Sequence, residues 1–387
     1  MTRVLDVDSH WTFPWEFELE HGPLKRFAPH LGDTAGLMTF FMAGDLVRSL
    51  PDAEKPDPLA LFPPRILPNG EVKKVAEHWE RLRVHVDAGE RVKWMGEIGI
   101  DYCLVNPGGY AALYPLLDEL GLRKAYLREC NDLLGDALDG QQHKLGAISA
   151  IDLTDMDWAI AELTRMRARG SRSFVVRTEP VNGFSPGHSH WDRLWATAVD
   201  LGMVVTLHIG NAPTHFGDFG RIDWKTATPD WQGAFLRMAN CQPNQGAELF
   251  LNAMLYGGVF ERHPRLTVLV AELWTGWLPN FIRKTEVLTA KGGPWGAWPY
   301  PLGGGEYLRR NVRVTPLPGL GDWNALDLVQ AYPEIMVFSS DYPHTEGDAD
   351  PINLYQPGLD GLPAPMREAF LGENIAGCFA RMGDPVL

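Results

Sequence analysis

Short apolar runs punctuate this chain, each closed by polar, glycine or proline residues, and the stretches between them place apolar residues at helical spacing. Eight such runs read as strands: residues 3–10, 101–107, 145–152, 172–178, 203–210, 266–273, 311–317 and 335–341. Between them, Leu122, Tyr126, Cys130, Leu133, Leu134 and Ala137 recur on one helical face. Thr154 and Asp157 offer a capping-box-like start ahead of Trp158, Ile160 and Leu163, and Asp322 opens a helix that ends near Val329. Alternation of apolar strands with helices predicts an α/β fold with a parallel sheet. Eight units favour a closed (β/α)8 barrel over an open doubly wound sheet, and no GxGxxG follows the first strand.

The expected organisation is one barrel domain over residues 1–387, carrying insertions at about 11–72, 211–245 and 291–305. The first two would rise from the C-terminal face of the barrel as an aromatic-rich lid. They bring Phe40, Phe41 and Phe62, then His215, Phe216, Phe219, Trp224 and Trp231. The third holds Trp295, Trp298 and Tyr300 and follows the helix after strand six, so its face is left open. Packing decoration or an oligomer interface is the rival reading of all three, and a homo-oligomer is expected. With 45% hydrophobic residues the chain has material for a large core, and its net charge of −14 argues against a general nucleic-acid binder. Cys103, Cys130, Cys241 and Cys378 form no CxxC pair and read as reduced thiols of a cytoplasmic protein. No apolar run is long enough to span a membrane, and no secretory leader is evident at Met1–Asp6 by pattern.

Candidate chemistry gathers where strands end. In the first run, strict alternation would put Asp6, Asp8 and His10 on one inward face, with Leu5 and Val7 facing the helices. Asp8 and His10, nearest the mouth, are metal-ligand candidates, and Asp6 would orient a ligand from below. Strand five ends in His208, strand six in Glu272 and strand eight in Asp341, with His344 three residues on. A carboxylate ending a buried strand must be paired, hydrogen-bonded or metal-bound. Imidazoles and carboxylates together suit iron, zinc or manganese. His344 is a ligand of a second ion, an acid/base or a loop brace. At the end of strand four Arg177 could meet a substrate anion or pair with Glu179 or Asp192, and His188 and His190 suit a capping or substrate-loop role. His263 reads as structural and Glu97 as solvated.

The motifs Asp6-Val7-Asp8-Ser9-His10, Thr206-Leu207-His208, Phe260 through Leu266, Ser339-Ser340-Asp341-Tyr342-Pro343-His344 and Gly372-Glu373-Asn374 together resemble the amidohydrolase-related family that includes aminocarboxymuconate semialdehyde decarboxylase. The resemblance covers nearly the whole chain. It implies a distorted TIM barrel with metal at the strand C-termini, held by Asp8, His10, His208 and Asp341. Many decarboxylase members carry His where this chain has Glu272. That departure, an added carboxylate able to bridge, resembles the family's nonheme diiron monooxygenase branch, which hydroxylates diterpenoid acyl-CoA intermediates. The leading expectation is therefore two Fe(II) ions with O2, bridged by Glu272 or Asp341, acting on a bulky acyl-CoA whose tail meets Arg309, Arg310 or Arg313. The alternatives are a mononuclear zinc or manganese hydrolase or decarboxylase of a small carboxylic acid, with His344 or Asp341 as acid/base, and a non-catalytic ligand-binding barrel.

Overall fold

The computed structural model describes residues 2–11, 26–27, 65–66, 72–73, 87–212, most of 216–293, 296–317, 322, 325–344, 347 and 350–386. Seven parallel strands follow one another around a sheet in chain order: β1 (Leu5–Trp11), β2 (Tyr102–Pro107), β3 (Leu145–Ala150), β4 (Ser173–Val175), β5 (Val204–His208), β6 (Val268–Ala271) and β7 (Val312–Val314). Each is buried along its length, as parallel strands covered on both faces must be. Residues 335–342 supply the eighth stave without a regular ladder. Val337 N donates to Val314 O (3.1 Å) on one side, and Asp341 N to Asp8 O (2.8 Å) and Val7 N to Phe338 O (3.3 Å) on the other. The ring is thus closed, a (β/α)8 barrel whose helices pack outside.

Helices α1 (Ala88–Ile98), α2 (Leu120–Ala137), α3 (Met156–Ala168), α4 (Asp192–Asp200), α5 (Gln245–Tyr256), α6 (Leu278–Leu288), α7 (Gly304–Asn311), α8 (Ala325–Ala331) and α9 (Asn374–Met382) make the outer wall. Asp87 starts α1 by accepting from Glu90 N at 2.9 Å, and Gly99, at φ 83°, ends it in a left-handed conformation that costs glycine little. One local expectation is corrected. The cap of α3 is Asp155, in extended conformation, whose carboxylate accepts from Trp158 N, the N3 amide. Asp322 is buried and accepts from Thr275 Oγ1 (2.7 Å), tying the loop after β6 to the loop after β7; residues 323–324, where a helix opened by it would begin, lie outside the described residues.

Of the insertions, 11–72 lies almost wholly outside the described residues, as do His215 and Trp231; of the second, Gly217–Gly220 forms a short 3-10 turn with Phe219 exposed, and Trp224–Ala227 one helical turn. The third insertion is described except for residues 294–295. It leaves the far end of α6, and helices run antiparallel to the strands, so it sits at the barrel's N-terminal end, away from the mouth. Trp298 donates to Leu302 O (2.7 Å) and packs edge-on against Tyr256 and Tyr300. It is wall packing. Among the described residues, no helix is long and apolar enough to cross a membrane.

Candidate metal centre at the barrel mouth

Strand register decides which side chains enter the barrel. His10 pairs with Asn106, Leu104 with Gly146, Ile148 with Ser173, Val175 with Thr206 and His208 with Ala271. Paired residues of parallel strands share a face, so His10, Asn106, Ser173, Val175, Thr206 and His208 all point inward. The Ser173–Thr206 hydroxyl contact of 2.7 Å agrees.

Within β1 the register slips between Asp6 and Ser9: Asp6 pairs with Cys103 and Ser9 with Val105, so three steps on β1 match two on β2. This bulge corrects the expectation that Asp6 shares a face with Asp8 and His10. Asp6 faces outward with Cys103, whose Sγ is 3.6 Å from Oδ2. There it accepts from Ser340 N (2.9 Å), Ser340 Oγ (2.5 Å) and Asp8 N (3.3 Å). It therefore staples β1 to the eighth stave just before each presents its ligands. Burial pushes its carboxyl up to about 6, the Ser340 bonds acting against it. Arg91 of α1 reinforces the same seam from behind, hydrogen-bonding Ser9 Oγ and lying over the rings of Trp94 and Tyr342.

Glu272 breaks alternation in the opposite sense. Ala271 is inward, so the next residue should point out. Glu272 instead adopts φ 56°, a left-handed conformation that costs a residue with a Cβ, and this turns its side chain back into the mouth. Its N–H is met by Thr315 Oγ1 at 3.3 Å. Asp341, at φ 50°, is strained likewise. Two costly conformations at two ligand candidates mark where folding yields to function.

The result is two interlocking quartets. Asp8, His10, His208 and Glu272 form one; His10, Glu272, Asp341 and His344 form the other, and in each the ligand atoms all lie within 4.8 Å of one another. Glu272 divides its oxygens. Oε2 is 3.1 Å from His208 Nε2, while Oε1 is 3.0 Å from His10 Nε2 and 3.3 Å from His344 Nδ1. Asp8 Oδ1 stands 3.5 Å from both His10 and His208, and Asp341 Oδ1 is 3.3 Å from His10 and 3.0 Å from His344. Every metal-ligand candidate thus converges. Asn106 was missed: its amide donates to Asp8 Oδ1 at 2.7 Å, and its place at the end of an apolar strand was the available signal.

These donors fit a divalent cation. Asp8 Oδ2, both Asp341 oxygens and His208 Nε2 are buried without a properly directed hydrogen bond. Buried polar atoms are almost always satisfied, so four orphans around one point ask for an ion. Without one, the charges redistribute protons. Burial pushes His208 down, but Glu272 and Asp8 outweigh it and lift the imidazole to about 10. His344 is held well above its ordinary value, Asp341 and Glu272 overcoming burial. His10, buried and next to His344, is pressed down to about 4. Burial and the Glu272 charge push Asp341 well up, while His208 and its neighbours hold Glu272 well down against burial. A bound cation would take the place of the imidazolium protons, so metal and proton compete here.

The remaining candidates lie apart from this cluster. Arg177 binds Glu179 through Nε. His188 Nδ1 accepts from His190 N at 2.9 Å, and His190 stacks on Phe184, which is a local turn-capping arrangement. His263 pairs with Asp192 (3.0 Å), as a structural residue would, and Glu97 is exposed. The proposed acyl-CoA rim is corrected: Arg309 and Arg310 end the helix that enters β7, and Arg313 is buried inside that strand, so all three sit at the N-terminal end, opposite the metal centre.

The family profile described as Amidohydrolase matches residues 7–379. The chain belongs to the amidohydrolase family. As a family member with this ligand set it is a metal-dependent enzyme. An amidohydrolase from Mycobacterium avium subsp. paratuberculosis K-10 superposes with a TM-score of 0.67 at 21% identity, covering 97% of each chain. The 5-carboxyvanillate decarboxylase of Sphingomonas paucimobilis gives 0.61 at 18%, covering 98% of this chain and 99% of that one. A dihydroxybenzoic acid decarboxylase from Polaromonas sp. JS666, solved with bound manganese and the inhibitor 2-nitroresorcinol, gives 0.59 at 16%, covering 98% and 97%. At these identities the likeness is one of fold.

Proposed function

We propose that this amidohydrolase removes the carboxylate of a small aromatic acid without oxidation, using one divalent ion, manganese or zinc, held by Asp8, His10, His208 and Glu272. The observation that carries the reading is Asp341: a buried carboxyl beside that quartet, 3.0 Å from His344 Nδ1, with burial and the Glu272 charge pushing it well above its ordinary value. Decarboxylation needs such a group. As the bond from ring carbon to carboxyl carbon breaks and CO2 leaves, the electron pair stays on carbon, and a proton must reach it. Asp341 delivers that proton, and His344, 3.0 Å from its Oδ1, stabilises the carboxylate that results. The ion, when bound, supplies Lewis-acid polarisation of the substrate's oxygens. Decarboxylase structures of the same fold, one with manganese, support the substrate class.

A second reading rests on a separate observation, the split of Glu272's two oxygens between His208 and the His10–His344 side. A carboxylate so placed suits a bridge between two ions, and two Fe(II) with O2 would hydroxylate a bulky acyl group. One experiment separates the two. Protein purified without added metal is analysed for metal per chain, then supplied with manganese and a panel of hydroxybenzoic acids under argon. CO2 released with no oxygen present is the expected result. Two irons per chain with oxygen-dependent hydroxylation would overturn the first reading in favour of the second.

A further inference from the structure

The charged side chains at the mouth outside the metal quartets are not equivalent. Asp152 follows Ala150 by two residues, and Arg177 follows Val175 by two, so both lie just past the C-terminal ends of β3 and β4, and β4 is the strand that pairs with β5, which ends in His208. Asp152 is fully engaged: Arg123 Nε binds Oδ2 at 2.7 Å, and Thr154 N donates to Oδ1 at 2.9 Å. Arg123 is engaged as well, its Nη1 donating to the carbonyls of Leu117 and Asp118 at 3.3 Å each. Arg177 differs. Its Nε is bound to Glu179, yet neither Nη donates to any described residue, and its side chain is only 13% exposed. A half-used, largely buried guanidinium on the strand adjoining His208 is an unfilled fork for a planar anion.

We infer that Arg177 is the anchor for a second carboxylate of the substrate, one remote from the reacting group, so that the preferred substrate class is the aromatic dicarboxylic acids. The inference rests on the proposed reaction for its first carboxylate and on Arg177 alone for its second. Glu179 fixes the guanidinium plane through Nε and leaves the two Nη groups directed at the ligand. A monocarboxylic acid would leave them desolvated and unpaired, which is how the site would discriminate.

The test is calorimetric, on manganese-loaded protein, with benzoate and the 1,3- and 1,4-benzenedicarboxylates as probes. One of the two dicarboxylates should bind about tenfold to a hundredfold more tightly than benzoate. Arg177→Gln should erase that advantage and leave benzoate affinity unchanged, circular dichroism confirming the fold. Glu179→Gln should keep the advantage or enlarge it, because a competitor for the guanidinium is gone. Equal affinity for all three probes in the wild type overturns the inference. So does an advantage that survives Arg177→Gln, or one that Glu179→Gln also erases, since the pair would then be a structural unit. Benzoate that fails to bind, while a dicarboxylate binds through Arg177, would instead count against the reading at the metal.

Discussion

Glu162 and Glu272 are both buried, at 0% and 4% exposure, and they show two ways a protein keeps a carboxylate out of water. Glu162, on α3, is answered by the chain itself. Arg165 donates to it at 2.6 and 2.9 Å, Asn131 at 2.9 Å and Arg128 at 3.1 Å, across the α2–α3 seam. Glu272, at the mouth, meets three imidazoles at 3.0 to 3.3 Å, with two more carboxylates close by, in a strained backbone. The seam carries its own guanidinium cations. The mouth carries a surplus of acceptors and waits for a cation from outside. One arrangement serves stability, and the other surrenders some of it to hold a metal.

The sharpest way to break the comparison is to remove each glutamate. Glu272→Ala and His208→Ala should lower metal content below about a tenth of wild type and cut turnover by about 10³-fold or more, an effect of roughly 4 kcal/mol on the barrier. Elemental analysis and steady-state assays measure both. Full metal content in both variants would remove the quartet from consideration. Glu162→Ala should do the reverse: activity per folded molecule and metal content unchanged, stability lowered by about 1–3 kcal/mol because buried Asn131 loses its acceptor and the half-exposed Arg128 and Arg165 lose a charged partner. Denaturant unfolding reads that loss.

Acid sharpens the same contrast. Burial alone would raise Glu162, but Arg165, Asn131 and Arg128 outweigh it, and its carboxyl lies below the ordinary value of 4.5. A folded-state value below the unfolded one means the proton binds the unfolded chain more tightly. The stabilisation is therefore complete above about 4.5 and is lost as the pH falls through the depressed folded value. Wild type and Glu162→Gln should differ in stability at neutral pH and converge in acid, by urea titration at several pH values. A constant gap would mean that Glu162 is not ionised in the fold.

Much of this was legible in the sequence, for reasons that also explain what was not. His10, His208 and Asp341 follow ordinary alternation or sit at strand ends, and an apolar run closing on a polar residue shows in one dimension. Glu272 was visible as a charge out of place. The left-handed turn that brings it inward was not, because it depends on what Thr315 of the next strand offers its N–H. Asp6 was assigned the wrong face because a single extra residue in a strand flips every side chain before it, and the bulge is set by pairing with β2. The arginines of α7 were placed at the wrong end because sequence order alone does not tell which face a connection occupies until the strand direction is known.

Asp6 gives a subtler break, since it touches no cation. It spans the two staves that meet at the metal centre, so Asp6→Ala should loosen the register between Asp8 and Asp341 and weaken metal affinity by about 10- to 100-fold, as groups that orient ligands do. Competition with a chelator reads the affinity, and near-ultraviolet circular dichroism checks that the fold survives. Unchanged affinity in a folded variant would reduce the staple to packing.

The smallest effect belongs to the opposite end of the barrel. Arg309 pairs with Glu286 at 2.9 Å with both side chains over a third exposed, and exposed pairs of this kind contribute about 0–1 kcal/mol. Arg309→Ala should therefore leave metal content, turnover and any acyl-CoA affinity where they were, with stability changed by less than about 1 kcal/mol. The measurement is worth making because the surface Arg309 shares with Arg310 was the natural landing place for a CoA tail. If acyl-CoA binding weakened in this variant, a ligand would have to reach the N-terminal end while its reacting group lay at the C-terminal mouth, through a barrel interior filled by Leu104, Ile148 and Leu269. A packed interior forbids that path, so a small and featureless result here is what the strand direction demands.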